Sequence, residues 1–510
     1  MYLMGIDIGT SGAKCVIIDR SGQVQSKAAC GYPLEVPRPS WAEQDPAWWV
    51  DGAYRAVREA LWAGGISGKE IDAISFSGQM HGLVALDKAG RVIRKAFLWC
   101  DQRTQKQCDE IERVAGGRER LLQMTNNVML TGYTGGKLLW LREEEPEHFS
   151  AMAAFLCPKD YLRFCMTGEM RMDASEASGV GLYDTKNRRW RWDLIDALAL
   201  PRSIFPPVGE GTDAAGFVTE EAARATGLLA GTPCFLGGGD AVVQSFGCGL
   251  VKEGAVGTVI GTSGNVSMGF SGYQDNPGGK LQMFCGVTPG SYMSFGATQT
   301  AGGALKWFRD HLALDVVSQA EKEGKNAYDL LGKIALQSPP GANGVVFAPY
   351  LSGERCPYPD PDARGVLYGL SLNTARADAV RAVMEGIVYS LRQIVDIYRS
   401  FAPVDGVIAS GGGAASPVFL QMQADIMELP VATLPAAAEG GAFGAALIAG
   451  LGSGWYKNEK EALSCLKKDR EFLPDEESVK KCRRTYALYQ RIYPALREVY
   501  RLGGQQYEEA

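Results

Sequence analysis

The sequence predicts an α/β chain of two large domains, on three observations. Apolar β-branched stretches alternate with segments at helical spacing, and glycines interrupt the chain at strand ends. A strand, a Gly-Thr-Ser-Gly turn and a second strand occur twice, as MGIDIGTSGAKCVIID at 4–19 and VGTVIGTSGNVSMGF at 256–270. The 510 residues, 46% of them apolar, also exceed what one hydrophobic core organises. No flexible linker separates the halves, which places the boundary near Gly247 and the domains at 1–247 and 248–510.

The elements follow in order. Residues 4–18 and 24–36 read as strands, and Pro46 to Ala63 has apolar positions at helical spacing behind an Asp45 cap. Ile71 to Ser77 returns to strand, and Gly78 then puts Gln79, Met80 and His81 on a turn. Helical segments are expected near 102–122 and at 135–142, and Gly237 to Gly239 break the chain ahead of Asp240. The second half repeats the scheme with hairpins over 256–297, helices at Ala301–Leu312 and Ala375–Ser400, a strand at 404–410, and then Gly411 to Gly413 before another helix.

Composition excludes several classes of function. The net charge is −6 with both signs interleaved, so no basic surface invites nucleic acid or acidic lipid, and a small-molecule partner is expected. Twelve cysteines without a Cys-x-x-Cys pair, beside three histidines, disfavour a zinc cluster and fit free thiols in a reducing compartment. The N-terminus enters a strand without an export signal, and the longest uncharged stretch, Gly440 to Tyr456, is too glycine-broken for a membrane span. A cytoplasmic location is the expectation. Tyr486 to Tyr500 forms an apolar helix that either packs internally or offers a homodimer face.

Each Gly-Thr-Ser-Gly tip exposes backbone N–H groups and hydroxyls, the chemistry of a phosphate cradle, and one tip per half suggests two lobes gripping a nucleoside triphosphate. Only the first carries an acid, Asp7. A carboxylate beside phosphate oxygens suits Mg²⁺, whereas an aspartate that merely stabilises a turn is the plainer alternative. Asp240 ends GGGD, where it either removes a proton from a substrate hydroxyl or caps the next helix. Ser410 to Ser416, SGGGAAS, offers N–H groups for ribose, phosphate or adenine, or serves as a packing turn. His81 lies in a run of neutral hydrogen-bonding groups suited to a polyol, although a core histidine bonded to backbone fits too. Trp99, Asp101 and Arg103 in LWCDQR sit at strand spacing and would point one way, as a site wall or as a surface ion pair over a tryptophan.

Taken in order, DIGTSGAK, SGQMHG, LWCDQR, GGGD, GTSG and GGGA, with PKDYLRFCMTGE (158–169), DASEAS (173–178), PYLSGERCPYPDPDARGVLYGL (349–370) and RAVMEGIVYSL (381–391), resemble the FGGY family of carbohydrate kinases over nearly the whole chain. The resemblance implies two ribonuclease-H-like domains of the actin and hexokinase ATPase type with a cleft between them, sugar held mainly by the first and ATP by the second. It implies Asp240 as general base and Asp7 as the residue that helps position Mg²⁺. Thr10, Ser11 and Lys14 would line the first phosphate hairpin, although Lys14 at that distance could equally be solvated. Gly261, Thr262 and Ser263 would form the second hairpin, and Gly412 and Gly413 would lie against the nucleotide. Met80, His81 and Asp240 would contact sugar, with Gln79 and Asp101 behind or beside them.

Within the family, the Gln79-Met80-His81 turn is most similar to that of D-xylulose kinases, which implies ATP-dependent phosphorylation of a small ketose, D-xylulose first. One residue departs: xylulose kinases carry asparagine after the catalytic aspartate, and this chain has Ala241. A lost amide alters how hydroxyl patterns are discriminated. Another pentulose, a polyol, an aldonate or a linear sugar therefore stays open as acceptor, and a non-catalytic nucleotide-dependent switch is the reading outside enzymology.

Overall fold

The computed structural model describes residues 1–435 and 439–508. The chain forms two compact units, one of residues 1–252, 269–294 and 439–467, the other of residues 253–268, 295–438 and 468–510. Each is built on a twisted mixed sheet with helices.

In the first unit, β1 (Tyr2–Ile8) and β2 (Gly12–Ile18) form the first hairpin, β3 (Val24–Gly31) continues it, and α1 (Pro46–Gly64) leads to β4 (Ile71–Gly78), which lies parallel to β1. The Asp45 carboxylate caps α1, accepting from Ala47 N at 2.9 Å. The strand expected over 24–36 ends at Gly31, and the helix expected over 102–122 is two helices, because Gly116 and Gly117 take positive φ. Ala174–Val180 forms the short helix α2, and Gly238–Gly239, β5, pairs with the end of β4 and feeds α3 (Asp240–Gly247).

The two faces of β1 do different work. Met4, Ile6 and Ile8 pack with Cys15, Ile17, Trp49, Ala53 and Val57 in a core between sheet and α1. Leu3, Gly5 and Asp7 point to the opposite face by the two-residue period.

In the second unit, β6 (Gly254–Ile260) pairs antiparallel with β7 (Gly264–Phe270), whose last two residues run on into the first unit. Helix α4 (Gly302–Leu312) follows, and the long helix α5 (Arg376–Arg399) precedes β8 (Val404–Ser410), which lies parallel to β6. The arrangement repeats the hairpin and parallel strand of the first unit. Asp7 there pairs with Lys14 and Ser77, and its counterpart Val259 pairs with Asn265 and Ser410. The repeat therefore keeps the scaffold and omits the acid. The helix Glu476–Glu508 turns Tyr489 and Tyr493 inward, where Tyr489 Oη meets Tyr350 Oη at 3.1 Å and Tyr493 stacks on Tyr358 at 3.9 Å.

The chain returns to the first unit as α6 (Gly440–Gly452), which covers the second face of β1. A Cβ on Gly5 would lie 1.9 Å from the Ala442 carbonyl oxygen, so only glycine lets helix and strand approach this closely. Among the described residues no helix is long and apolar enough to cross a membrane.

Candidate active site

Strand register gathers the acidic groups of the first unit. Asp7 pairs with Ser77, and Ser77 with Gly238, so β1, β4 and β5 end side by side with Asp240 one residue beyond. Carboxyl ends of parallel strands are where α/β folds place ligands. Ser77 Oγ donates to Asp7 Oδ1 at 2.6 Å. The N-cap of α3 is Gly239, so Asp240 is the first helical residue rather than the cap, and its Oδ1 accepts from Ala241 N at 2.7 Å.

The charge of Asp7 bears on Asp240. Burial, reinforced by the negative charge of Asp7, pushes Asp240 up to about 7, far above an ordinary aspartate. Burial also raises Asp7, against the lowering effects of the Ser77 hydroxyl and Lys14. A carboxylate poised near neutrality is matched to taking and releasing a proton at physiological pH.

The first hairpin tip is joined to the Gln79 turn by a chain of polar side chains. Trp99 Nε1 donates to Thr10 Oγ1 at 2.9 Å, Thr10 Oγ1 donates to Gln79 Oε1 at 3.2 Å, and Gln79 Nε2 donates to Gln44 Oε1 at 3.2 Å. Gln44 Nε2 returns to the Thr10 carbonyl at 2.8 Å. Ser11 is exposed at the tip. Lys14 is not simply solvated: its Nζ lies 2.7 Å from Glu439 Oε2, and Lys27 Nζ lies 2.6 Å from the other oxygen.

His81 takes φ +68°, a strained value for a residue with a side chain. Lys137 Nζ and Thr134 Oγ1 both donate to its carbonyl, at 2.7 and 3.1 Å. Its Nδ1 lies 3.0 Å from the Gly179 carbonyl, which can only accept, so Nδ1 carries a proton and Nε2 is the ring nitrogen left to accept when the ring is neutral. Tyr133 and Phe284 flank the ring at 4.7 and 5.9 Å. Met80 is buried against Gly239, where a Cβ would lie 2.5 Å from Met80 Cγ.

The LWCDQR segment differs from the sequence expectation. The strand there is only Ala96–Phe97, and residues 98–103 turn away, so Trp99, Asp101 and Arg103 do not share a face. Trp99 is 42% exposed, whereas Asp101 is fully buried. Asp101 Oδ2 accepts from Ala42 N at 2.8 Å and from Arg103 at 2.6 Å, and Arg103 also reaches Glu43 at 2.7 Å. The guanidinium lies 3.5 Å from the ring centre of Trp41, so the ion pair over a tryptophan exists, but it is buried and the tryptophan is Trp41. Asp101→Asn is expected to cost about 3 kcal/mol of stability, the penalty of leaving a buried guanidinium short of a partner. Acceptor KM should stay within about twofold, because the Asp101 carboxylate is committed to Arg103 and Ala42 N; chemical unfolding beside steady-state kinetics checks both.

In the second unit, three glycine segments meet at the end of β6. Gly302 N donates to the Gly261 carbonyl at 2.8 Å and Gly303 N to the Thr262 carbonyl at 3.0 Å, docking the second hairpin tip on the start of α4. Gly411 takes φ +74°, and a Cβ on Gly413 would lie 2.7 Å from Ile260 Cβ. Gly261, Thr262, Ser263 and Gly412 are exposed around this junction, and Gly413 is buried beneath it.

Family models decide the identity. The N-terminal domain model of the FGGY family of carbohydrate kinases matches residues 2–247, and the C-terminal domain model matches residues 257–453. The chain belongs to the FGGY family of carbohydrate kinases. It is similar to a xylulose kinase of Bacillus subtilis, 36% identical over 96% of both chains, and to a gluconokinase of the same species, 30% identical over 88% of this chain and 86% of that one. The crystal structure of xylulose kinase from Rhodospirillum rubrum superposes with a TM-score of 0.90 at 29% identity, covering 98% of this chain and 100% of that one. The fold is thus that of FGGY sugar kinases, and the chain is a carbohydrate kinase.

Several residues around this FGGY site escape sequence reasoning. Ser77 fixes Asp7, Lys137 fixes His81, and Gly441 of α6 abuts both Asp7 and Ser77, with a Cβ there only 2.7 and 2.2 Å away. The small residues of GGAFGAALIAGLG are the one signal for the last, since close helix packing requires them. For divalent metal, no group of three or more His, Cys, Asp or Glu side chains gathers among the described residues. Mg²⁺ needs none: it keeps waters and takes one or two carboxylates beside phosphate oxygens, a donor role that Asp7 fits.

Proposed function

We propose that this FGGY kinase transfers the γ-phosphoryl group of ATP to a terminal hydroxyl of a small ketose, D-xylulose first. The observation that carries the reading is the Gln79-Met80-His81 turn, fixed beside the β5–α3 junction that presents Asp240. Asp240, with a pKa near neutrality, takes the hydroxyl proton as the oxygen attacks. His81 Nε2 accepts from a sugar hydroxyl, and Met80 supplies the apolar wall. Gln79 and Asp101 stand behind, Gln79 holding the hairpin and Asp101 holding Arg103. Thr10 and Ser11 offer their groups to phosphate, and Lys14 exchanges Glu439 for phosphate oxygens. Gly261, Thr262, Ser263, Gly412 and Gly413 form the nucleotide surface of the second unit. Asp7 would hold Mg²⁺, whose charge would neutralise phosphate oxygens.

Ala241 favours a second reading, in which the acceptor is another polyhydroxy compound. An aldonate is the weakest of these, because Arg103, the cation that would face its carboxylate, is committed to Asp101 and Glu43. The test is ADP release with Mg-ATP and D-xylulose, D-ribulose, xylitol, D-fructose or D-gluconate. D-xylulose should give kcat/KM at least about tenfold above the rest, the discrimination that one or two site hydrogen bonds supply. A different acceptor in first place would move the substrate, and no acceptor-dependent ADP would remove the reading.

A further inference from the structure

The buried charges behind the site have no part in the reaction as described. Lys159, wholly buried, places Nζ 2.6 Å from Asp160 Oδ1 and 2.7 Å from Asp173 Oδ1, and Arg163 approaches Asp160 at 3.4 Å. Glu176 lies beside them, and burial holds its carboxyl well above the usual carboxylate range. The cluster touches the site at two points. A Cβ on Gly78 would meet Lys159 Cβ at 2.9 Å, directly before the Gln79 turn. The Asp173 carboxylate caps α2, accepting from Ser175 N at 2.7 Å and from the Ser175 hydroxyl, and the same hydroxyl accepts from Gly239 N at 2.9 Å.

Ser175 is therefore spent in both directions. Its proton goes to Asp173, whose other oxygen is neutralised by Lys159, and its lone pair takes the N–H that immediately precedes Asp240. Four residues on, the Gly179 carbonyl of the same helix holds the His81 ring. One short helix thus sets the backbone before the base at one end and the acceptor's histidine at the other.

We infer that Ser175 is a positioning residue for Asp240: anchored by Asp173 and Lys159, it fixes the Gly239 peptide and with it the carboxylate that receives the proton. The inference rests on Asp240 being the general base. Loss of the anchor lets the Gly239–Asp240 junction shift, and misplacement of a reacting group by about 1 Å costs on the order of 100-fold. A serine that merely supported packing would impose its cost whether or not the base is present.

The experiment is a double-mutant cycle on the full chain with the best acceptor and Mg-ATP. Ser175→Ala is expected to lower kcat by about 10–100-fold with acceptor KM within about twofold. Ser175→Thr, which keeps the hydroxyl, should retain kcat within about threefold. In an Asp240→Asn background, Ser175→Ala should change the residual rate by less than about twofold, since its effect passes through the missing carboxylate. Equal losses in both backgrounds, or no loss in the first, would overturn the inference. Should Ser175→Ala fail to fold, Ser175→Cys, whose thiol is a weak acceptor, takes its place in the cycle. Full activity in Asp240→Asn alone would instead strike at the general base, a distinct outcome.

Discussion

Asp240→Asn is expected to lower kcat by about 10²–10⁴-fold, the range that a positioned general base contributes, while acceptor KM stays nearly unchanged. The same change should stabilise the protein at alkaline pH. The folded-state pKa of Asp240 is raised to about 7, above the roughly 3.9 of an unfolded aspartate. Folding therefore favours the protonated form: the stability this contributes is fully present below about pH 4 and is lost as pH rises through 7. Above that, the wild-type chain carries a buried charge beside Asp7 that the amide lacks. Thermal unfolding should place Asp240→Asn above wild type by a few degrees at about pH 8, with the advantage shrinking toward pH 5. A variant that lost both activity and stability at pH 8 would place Asp240 in the scaffold instead.

Gly441→Ala is the second large effect, and its sign separates two physical accounts. By helix propensity alone, alanine near the start of α6 should stabilise by up to about 1 kcal/mol. Packing says otherwise, because the new Cβ would lie 2.2 Å from Ser77 Oγ and 2.7 Å from Asp7 Oδ1. Ser77 can rotate away only by releasing Asp7. The expected outcome is a loss of kcat of about 100-fold with a stability loss of about 1–3 kcal/mol. Chemical denaturation and kinetics on the purified variant read both. Gly5→Ala is the structural counterpart: its Cβ meets the backbone of Ala442 at 1.9 Å, which no side-chain rotation relieves, and it should destabilise more while bearing on Asp7 only through the fold.

What could be read from the sequence follows from what is local. The two hairpins announce themselves because a two-residue apolar period flanks the same glycine turn twice, and the strand expected at 404–410 is observed at Val404–Ser410. Asp240 stands out because three glycines precede it. The Trp99, Asp101, Arg103 triplet misleads because alternation holds only within a strand, and this strand stops at Phe97. Gly440–Gly452 reads as a broken uncharged stretch, yet its glycines and alanines are the points where a helix meets β1 and α3, a long-range contact that no local window contains. Lys137 and Ser175 are invisible for the same reason: their partners are the backbone of His81 and Gly239, distant in sequence.

The measurement that bears most directly on the account is the dependence of kcat/KM for D-xylulose on pH, between about 5 and 9, in wild type and Asp7→Asn, with Asp240→Asn as the control. Wild type should fall about tenfold per pH unit below an apparent pKa near 7, because only the ionised carboxylate accepts the proton. Asp7→Asn, though slower, should shift that limb to lower pH, since it removes the neighbouring charge that raises Asp240. A flat wild-type profile with an Asp240→Asn rate within about threefold of it would contradict the assignment of Asp240 as the group that takes the proton.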